Sequence, residues 1–85
     1  MNIYFSDLFL KSYRKLPKSV QIKLEKREPI FRKNPFDPRL KTHPLVGKLK
    51  GFYPFSIDYH YRIIFNFESE NEIWFHNVGP HQIYR

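Results

Sequence analysis

The chain contains no cysteine, which excludes a disulfide framework and a zinc–thiolate centre. It also lacks a long apolar run. The amino-terminal stretch MNIYFSDLFLKSYRK turns charged within about a dozen residues, and no basic flank leads into an apolar segment. Neither a signal peptide nor a membrane span is therefore expected, and a reducing cytoplasm is the expected setting. Internal repeats and low-complexity tracts are absent. The 85 residues read as one domain, 1–85, with a single compact core.

What the chain has in quantity is positive charge and aromatic rings. The formal net charge is +7, and 9 Phe, 6 Tyr and 1 Trp are enough to fill one small core. The charge is unevenly placed. Most of the Lys and Arg residues fall between Lys11 and Lys50, where they meet only Glu25, Glu28 and Asp37. From Gly51 onward, Arg62 and Arg85 face four acids. A concentrated positive field attracts a polyanion, so nucleic acid or an acidic protein is the expected partner class.

The order of elements follows from local patterns. A short apolar-rich stretch at 2–5 predicts a strand. Ser6 is placed to cap the next helix, with Asp7 in its first turn, and Phe9, Tyr13 and Leu16 recur at helical spacing up to Pro17. A second helix is expected from about Lys18, with Val20, Leu24, Arg27 and Phe31 on one side. Pro29 is expected to kink or end it near Glu28, because proline removes the backbone donor to Glu25. Residues 34–51, NPFDPRLKTHPLVGKLKG, read as an ordered loop. Aromatic and β-branched runs at 52–58, 61–67 and 72–78 predict three strands, with a polar turn at 68–71. The period of two puts Ile57, Tyr59, Tyr61, Ile63, Phe65 and Phe67 on one face, and His60, Arg62 and Ile64 on the other. The expected class is α+β: an N-terminal strand, two helices, then a three-stranded antiparallel meander, forming a small twisted sheet with the helices on one face.

Two stretches carry a family resemblance. Residues 34–68, NPFDPRLKTHPLVGKLKGFYPFSIDYHYRIIFNFE, are similar to the loop, Leu-Lys-Gly lead-in and Tyr-Arg-Ile central strand of the RelE/ParE toxin superfamily. Residues 77–85, NVGPHQIYR, resemble its closing segment of Gly, a basic residue two positions on, and a terminal Tyr. Leu16-Pro17 between the helices also fits. The resemblance implies the toxin of a type II toxin–antitoxin system. Within the superfamily, RelE-, YoeB- and YafQ-like members cut mRNA in the ribosomal A site, whereas ParE-like members inhibit DNA gyrase without a nuclease site. Implied partners are a cognate antitoxin, mRNA and the 70S ribosome with its rRNA; no cofactor and no metal is implied. Fold does not decide between the two activities, so the site residues must.

Metal-independent RNA cleavage needs a base for the 2′-hydroxyl, an acid for the leaving 5′-oxygen, and a cation for the phosphorane. Histidine serves the first two near neutral pH, and arginine suits bidentate phosphate contact. The resemblance implies catalytic roles for His43, His60, Arg62, His81 and Tyr84. His43 stands where YafQ-like nucleases have a functional histidine and YoeB-like ones a glutamate, to act as base or align the nucleophile. Arg62 occupies the phosphate-clamping position, which many ParE-like proteins share. His60 stands where those enzymes carry an acid. His81 and Tyr84 match the terminal general acid and a base-stacking or phosphate-orienting phenol. Lys41, Lys48 and Lys50 are the expected RNA-backbone contacts, since residues 52–57 are aromatic where RelE itself has lysines. His76 alternates with Trp74 and reads as structural. The histidine-rich set resembles YafQ-like nucleases more than RelE.

Overall fold

A computed structural model describes residues 1–84, with the side chains of His81 and Tyr84 outside that description. Its elements are strand β1 (Asn2–Phe5), helices α1 (Asp7–Arg14) and α2 (Lys18–Lys33), and strands β2 (Phe52–Ser56), β3 (Tyr61–Ser69) and β4 (Glu72–Pro80). Short 3-10 turns lie at Pro38–Leu40, Gly47–Leu49 and His81–Tyr84. The expected α+β order is observed. The strands form one open mixed sheet in the order β1-β4-β3-β2. β2, β3 and β4 are the antiparallel meander, and β1 runs parallel to β4 on its outer side.

The helices form where local chemistry supports them. Ser6 caps α1 by accepting the N–H of Phe9 through Oγ, and the same hydroxyl donates to the carbonyl of His76 at 2.7 Å, tying the cap to β4. Between the helices, Gln21 Nε2 donates to the carbonyls of Tyr13 and Leu16, satisfying acceptors that the end of α1 leaves open. Both helices cover the same sheet face. Phe31 is fully buried, stacks on Phe55 at 4.6 Å and meets Phe65 and Phe75 edge-on. Phe9 reaches Phe75 at 5.5 Å. Val20, Leu24, Ile63 and Ile73 complete this core.

Three local expectations need correction. Of the two outcomes expected of Pro29, a kink or an end, helix α2 does not end near Glu28 but continues to Lys33, where the expected loop begins. Phe31 explains this, because its burial under the sheet aromatics outweighs one lost backbone bond, and Arg32–Glu28 pairing at 2.8 Å spans the proline from outside. Tyr59 does not join the apolar face; it is 83% exposed in the turn between β2 and β3. That turn begins earlier than expected because Asp58 folds it locally, its Oδ1 accepting the N–H groups of His60 and Tyr61. The β3–β4 turn is tighter than expected: Ser69 pairs with Glu72, which leaves Glu70 and Asn71 as a two-residue connection.

Candidate functional site

The loop between α2 and β2 is held by its own side chains. Asn34 Oδ1 accepts from Phe36 N–H, Thr42 Oγ1 donates to the carbonyl of Pro35, and Leu40 is fully buried as the anchor. Beyond Leu40 the chain reverses at Lys41 (φ 56°). Lys41 thereby stands beside the end of the sheet where β2 turns into β3.

There a cleft of about 230 Å³ opens between α2, the Lys41 reversal and the β2–β3 turn. Its charged lining is Arg27, Arg39, Lys41, Asp58 and Arg62, and Ser56 and Tyr59 complete it. Arg62 wraps the turn. Its Nη1 donates to the backbone carbonyls of Asp58 (2.7 Å), Tyr61 (3.1 Å) and Tyr59 (3.3 Å), and not to the Asp58 carboxylate. That carboxylate is engaged by Lys23 at 3.2 Å and by the turn's own N–H groups. Burial alone would push the Asp58 pKa up, but the N–H bonds from His60 and Tyr61 and the contact with Lys23 lower it on balance. Arg39 binds Asp37 through two bonds at 2.9 and 3.0 Å, and holds that exposed carboxyl at a pKa of about 2.

The other expected residues take different places. His43 is exposed, and its Nδ1 lies 3.0 Å from the carbonyl of Lys41. A carbonyl can only accept, so Nδ1 is the donor in this contact, and in the neutral ring that leaves the Nε2 lone pair for a base. His60 is exposed in the turn, with its ring edge-on to Tyr59 at 5.2 Å. Lys48 and Lys50 are exposed in and after the Gly47–Leu49 turn, which leads into Phe52 at the opposite end of β2. Phe52 itself is roughly 13 Å along the strand from Ser56 and the cleft. His81 and Tyr84 lie on the closing 3-10 turn, but their side chains fall outside the described residues. Backbone pairing still locates this turn. Gly79 pairs with Arg62, and Ile83 folds back onto Gly79 so closely that a Cβ there would sit 2.5 Å from Ile83 Cγ2.

Lys41 and Arg62 thus share one cleft, His43 and His60 flank it in sequence, and the closing turn folds back beside the start of β3. Arg27 and Arg39 join that cleft without having been expected. Their signal was present: Arg27 shares a helix side with Val20, Leu24 and Phe31, an unusual place for a charge. His76 is half-buried as expected of a structural residue. Its Nε2 donates to Asn66 Oδ1, its ring meets Phe52 edge-on, and burial lowers its pKa. A second groove, of about 260 Å³, lies between Leu16-Pro17 and the Tyr61, Val78 and Pro80 end of the sheet; among the described residues Lys15 is its one charged lining residue. Among the described residues, no helix is long and apolar enough to cross a membrane, and no three His, Asp or Glu side chains are grouped to hold a metal ion.

No protein-family model and no curated protein sequence matches the chain. Solved structures do. YafQ from Escherichia coli superposes with a TM-score of 0.79 at 21% identity, covering 94% of this chain and 92% of that one. A YoeB/ParE toxin from Agrobacterium tumefaciens gives 0.79 at 15% identity over 95% and 99% of the two chains. The toxin–antitoxin complex RelBE2 from Mycobacterium tuberculosis gives 0.78 at 17% identity over 94% and 96%. The chain has the fold of these RelE-, YafQ- and YoeB-like toxins.

Proposed function

We propose that this chain is the toxin of a type II toxin–antitoxin pair, and that it acts as an endoribonuclease on mRNA in the ribosomal A site. The observation that carries this reading is the cationic cleft shared by Lys41 and Arg62 at the end of the sheet where the closing turn also folds back. In this reading the scissile phosphate is held by Arg62. The Nε2 lone pair of His43, or His60 in its place, takes the 2′-hydroxyl proton. The 2′-oxygen attacks phosphorus, the bond to the 5′-oxygen breaks, and His81 protonates that oxygen. The products are a 2′,3′-cyclic phosphate and a 5′-hydroxyl end, with Tyr84 orienting the phosphate or stacking on a base. No step requires a metal. RNA running along β2 passes Lys48 and Lys50 at its far end, and the cations of α1 and α2 dock on ribosomal RNA. A cognate antitoxin is the expected regulator, and several proteins of the same fold have been solved as complexes with such partners, among them DinJ–YafQ and YoeB–YefM.

The test is induction of the chain in a bacterial host with protein and DNA synthesis labelled separately. Translation should stop first, with mRNA cut inside codons. DNA breaks with translation intact would instead select a ParE-like gyrase inhibitor and overturn the nuclease. His81→Ala should abolish growth arrest and reduce cleavage by about 100-fold or more, as expected for a lost general acid, while the folded variant still binds its antitoxin. Full toxicity in that variant removes His81 from the chemistry.

A further inference from the structure

We propose that the cleft between α2, Lys41 and the β2–β3 turn is a nucleotide-phosphate site in which Arg27 acts with Lys41 and Arg62, and in which Tyr59 supports the adjoining base. The phosphate part stands on charge and hydrogen bonding alone; RNA as the source of the phosphate rests on the function proposed above.

Charge compensation is the first argument. Two cleft charges are already answered, because Arg39 is bound by Asp37 and the Asp58 carboxylate is bound by Lys23. Arg27 and Arg62 are in a different position. Arg27 Nη1 donates to the carbonyl of Arg39 at 2.8 Å, and Arg62 Nη1 donates only to turn carbonyls. Both are half-buried, and among the described residues neither meets a carboxylate. Neutral carbonyls orient a guanidinium without cancelling its charge. Lys41 adds a third cation from a backbone conformation that non-glycine residues seldom adopt. Two oriented guanidiniums and an exposed lysine, none of them in an ion pair among the described residues although Asp37 acts on Arg27 from a distance, make one small concavity an anion site, and guanidinium forks match phosphate in particular.

Tyr59 supplies the second argument and narrows the ligand. A tyrosine 83% exposed at the rim of a cationic cleft contributes nothing to the core. Its phenol face, steadied by the His60 ring at 5.2 Å, is the surface on which an unstacked base rests in single-strand recognition. Inorganic phosphate would use the cations alone; a polynucleotide would use both.

The experiment uses the full chain and three probes: a short 2′-O-methyl RNA, which lacks the attacking hydroxyl and stays intact, inorganic phosphate, and pyrophosphate. Affinity for the oligonucleotide is measured by anisotropy across a salt series, and arginine side-chain N–H signals are followed by NMR. Arg27→Gln should weaken oligonucleotide binding about 5- to 10-fold and lower the salt slope by about one. Arg27→Lys should keep the slope. Tyr59→Ala should weaken the oligonucleotide and leave phosphate binding unchanged. Lys41→Gln, at an exposed position, repeats the slope test should Arg27→Gln fail to fold. Phosphate moving the Arg27 and Arg62 signals, with oligonucleotide affinity indifferent to these substitutions, assigns the site to a free phosphate and overturns the base-supporting role of Tyr59. No response of either arginine to any probe, with unchanged slopes, overturns the site. Cleavage is not read, so a chain that cuts no RNA leaves this outcome independent of the nuclease proposal.

Discussion

Gly79 is a glycine for want of space. It sits in a regular strand opposite Arg62, and Ile83 Cγ2 occupies the place its Cβ would take. A β-branched neighbour cannot swing aside easily. Gly79→Ala should therefore destabilise the fold by about 1–3 kcal/mol through overpacking. Adding Ile83→Ala should return part of that loss, so a double-mutant cycle in urea should show coupling. Strict additivity would mean the closing turn is not seated there. His76 makes a different residue-scale point. Burial holds its pKa below the ordinary 6.5, against a weaker upward pull from Glu68. The unfolded chain thus binds a proton more readily than the folded one. Stability is full above pH 6.5 and declines as the pH falls through the lowered folded value. Melting curves between about pH 7.5 and 5 should show this decline, and His76→Gln, which keeps a donor for Asn66, should flatten it. Equal acid sensitivity in both proteins would assign the decline to other groups.

At the scale of elements, α2 is the helix whose local and tertiary signals conflict. Pro29 lies well inside it on an exposed position, whereas Phe31 two residues later is fully buried in the core. Because the proline packs against little, Pro29→Ala should raise the urea midpoint by an amount equivalent to about 1–3 kcal/mol. An unchanged midpoint would show that the helix has already absorbed the missing bond. The same conflict explains what was legible in the sequence. Ser6, Leu16-Pro17 and the polar turn after β3 act on their immediate neighbours, and each was readable in place. The continuity of α2 past Pro29 was not readable, because the stacking of Phe31 on Phe55 joins positions that local pattern does not connect, whereas its close at Asn34-Pro35 was. Asp58 likewise redirected the chain early and carried Tyr59 out of the apolar row.

At the scale of the molecule, the candidate site was half legible. Lys41, His43, His60 and Arg62 could be named from family likeness, and of these the fold puts Lys41 and Arg62 in one cleft. Arg27 stood out only as a charge on the apolar side of α2, and Arg39 not at all; the linear order does not say that either will face a turn some twenty to thirty residues on. Convergence of this kind belongs to tertiary structure. So does the division of charge, in which carboxylates cancel Lys23 and Arg39 and leave Arg27 and Arg62 to carbonyls.

The parallel pairing of β1 with β4 bears on how the molecule comes into being. The Ser6 hydroxyl that starts α1 is fastened to a carbonyl seventy positions downstream, and β1 has no other neighbour in the sheet. β4 is synthesised after the other three strands of this sheet and is an interior one. Helices and the β2–β3 hairpin can form as they emerge, but the first strand must wait, edge bare, for the last. Closing so distant a contact loses chain entropy before any pairing is gained, which sets it after the local contacts in the expected order of assembly. A nascent chain halted before Glu72 would hold its basic helices ready and its sheet unfinished.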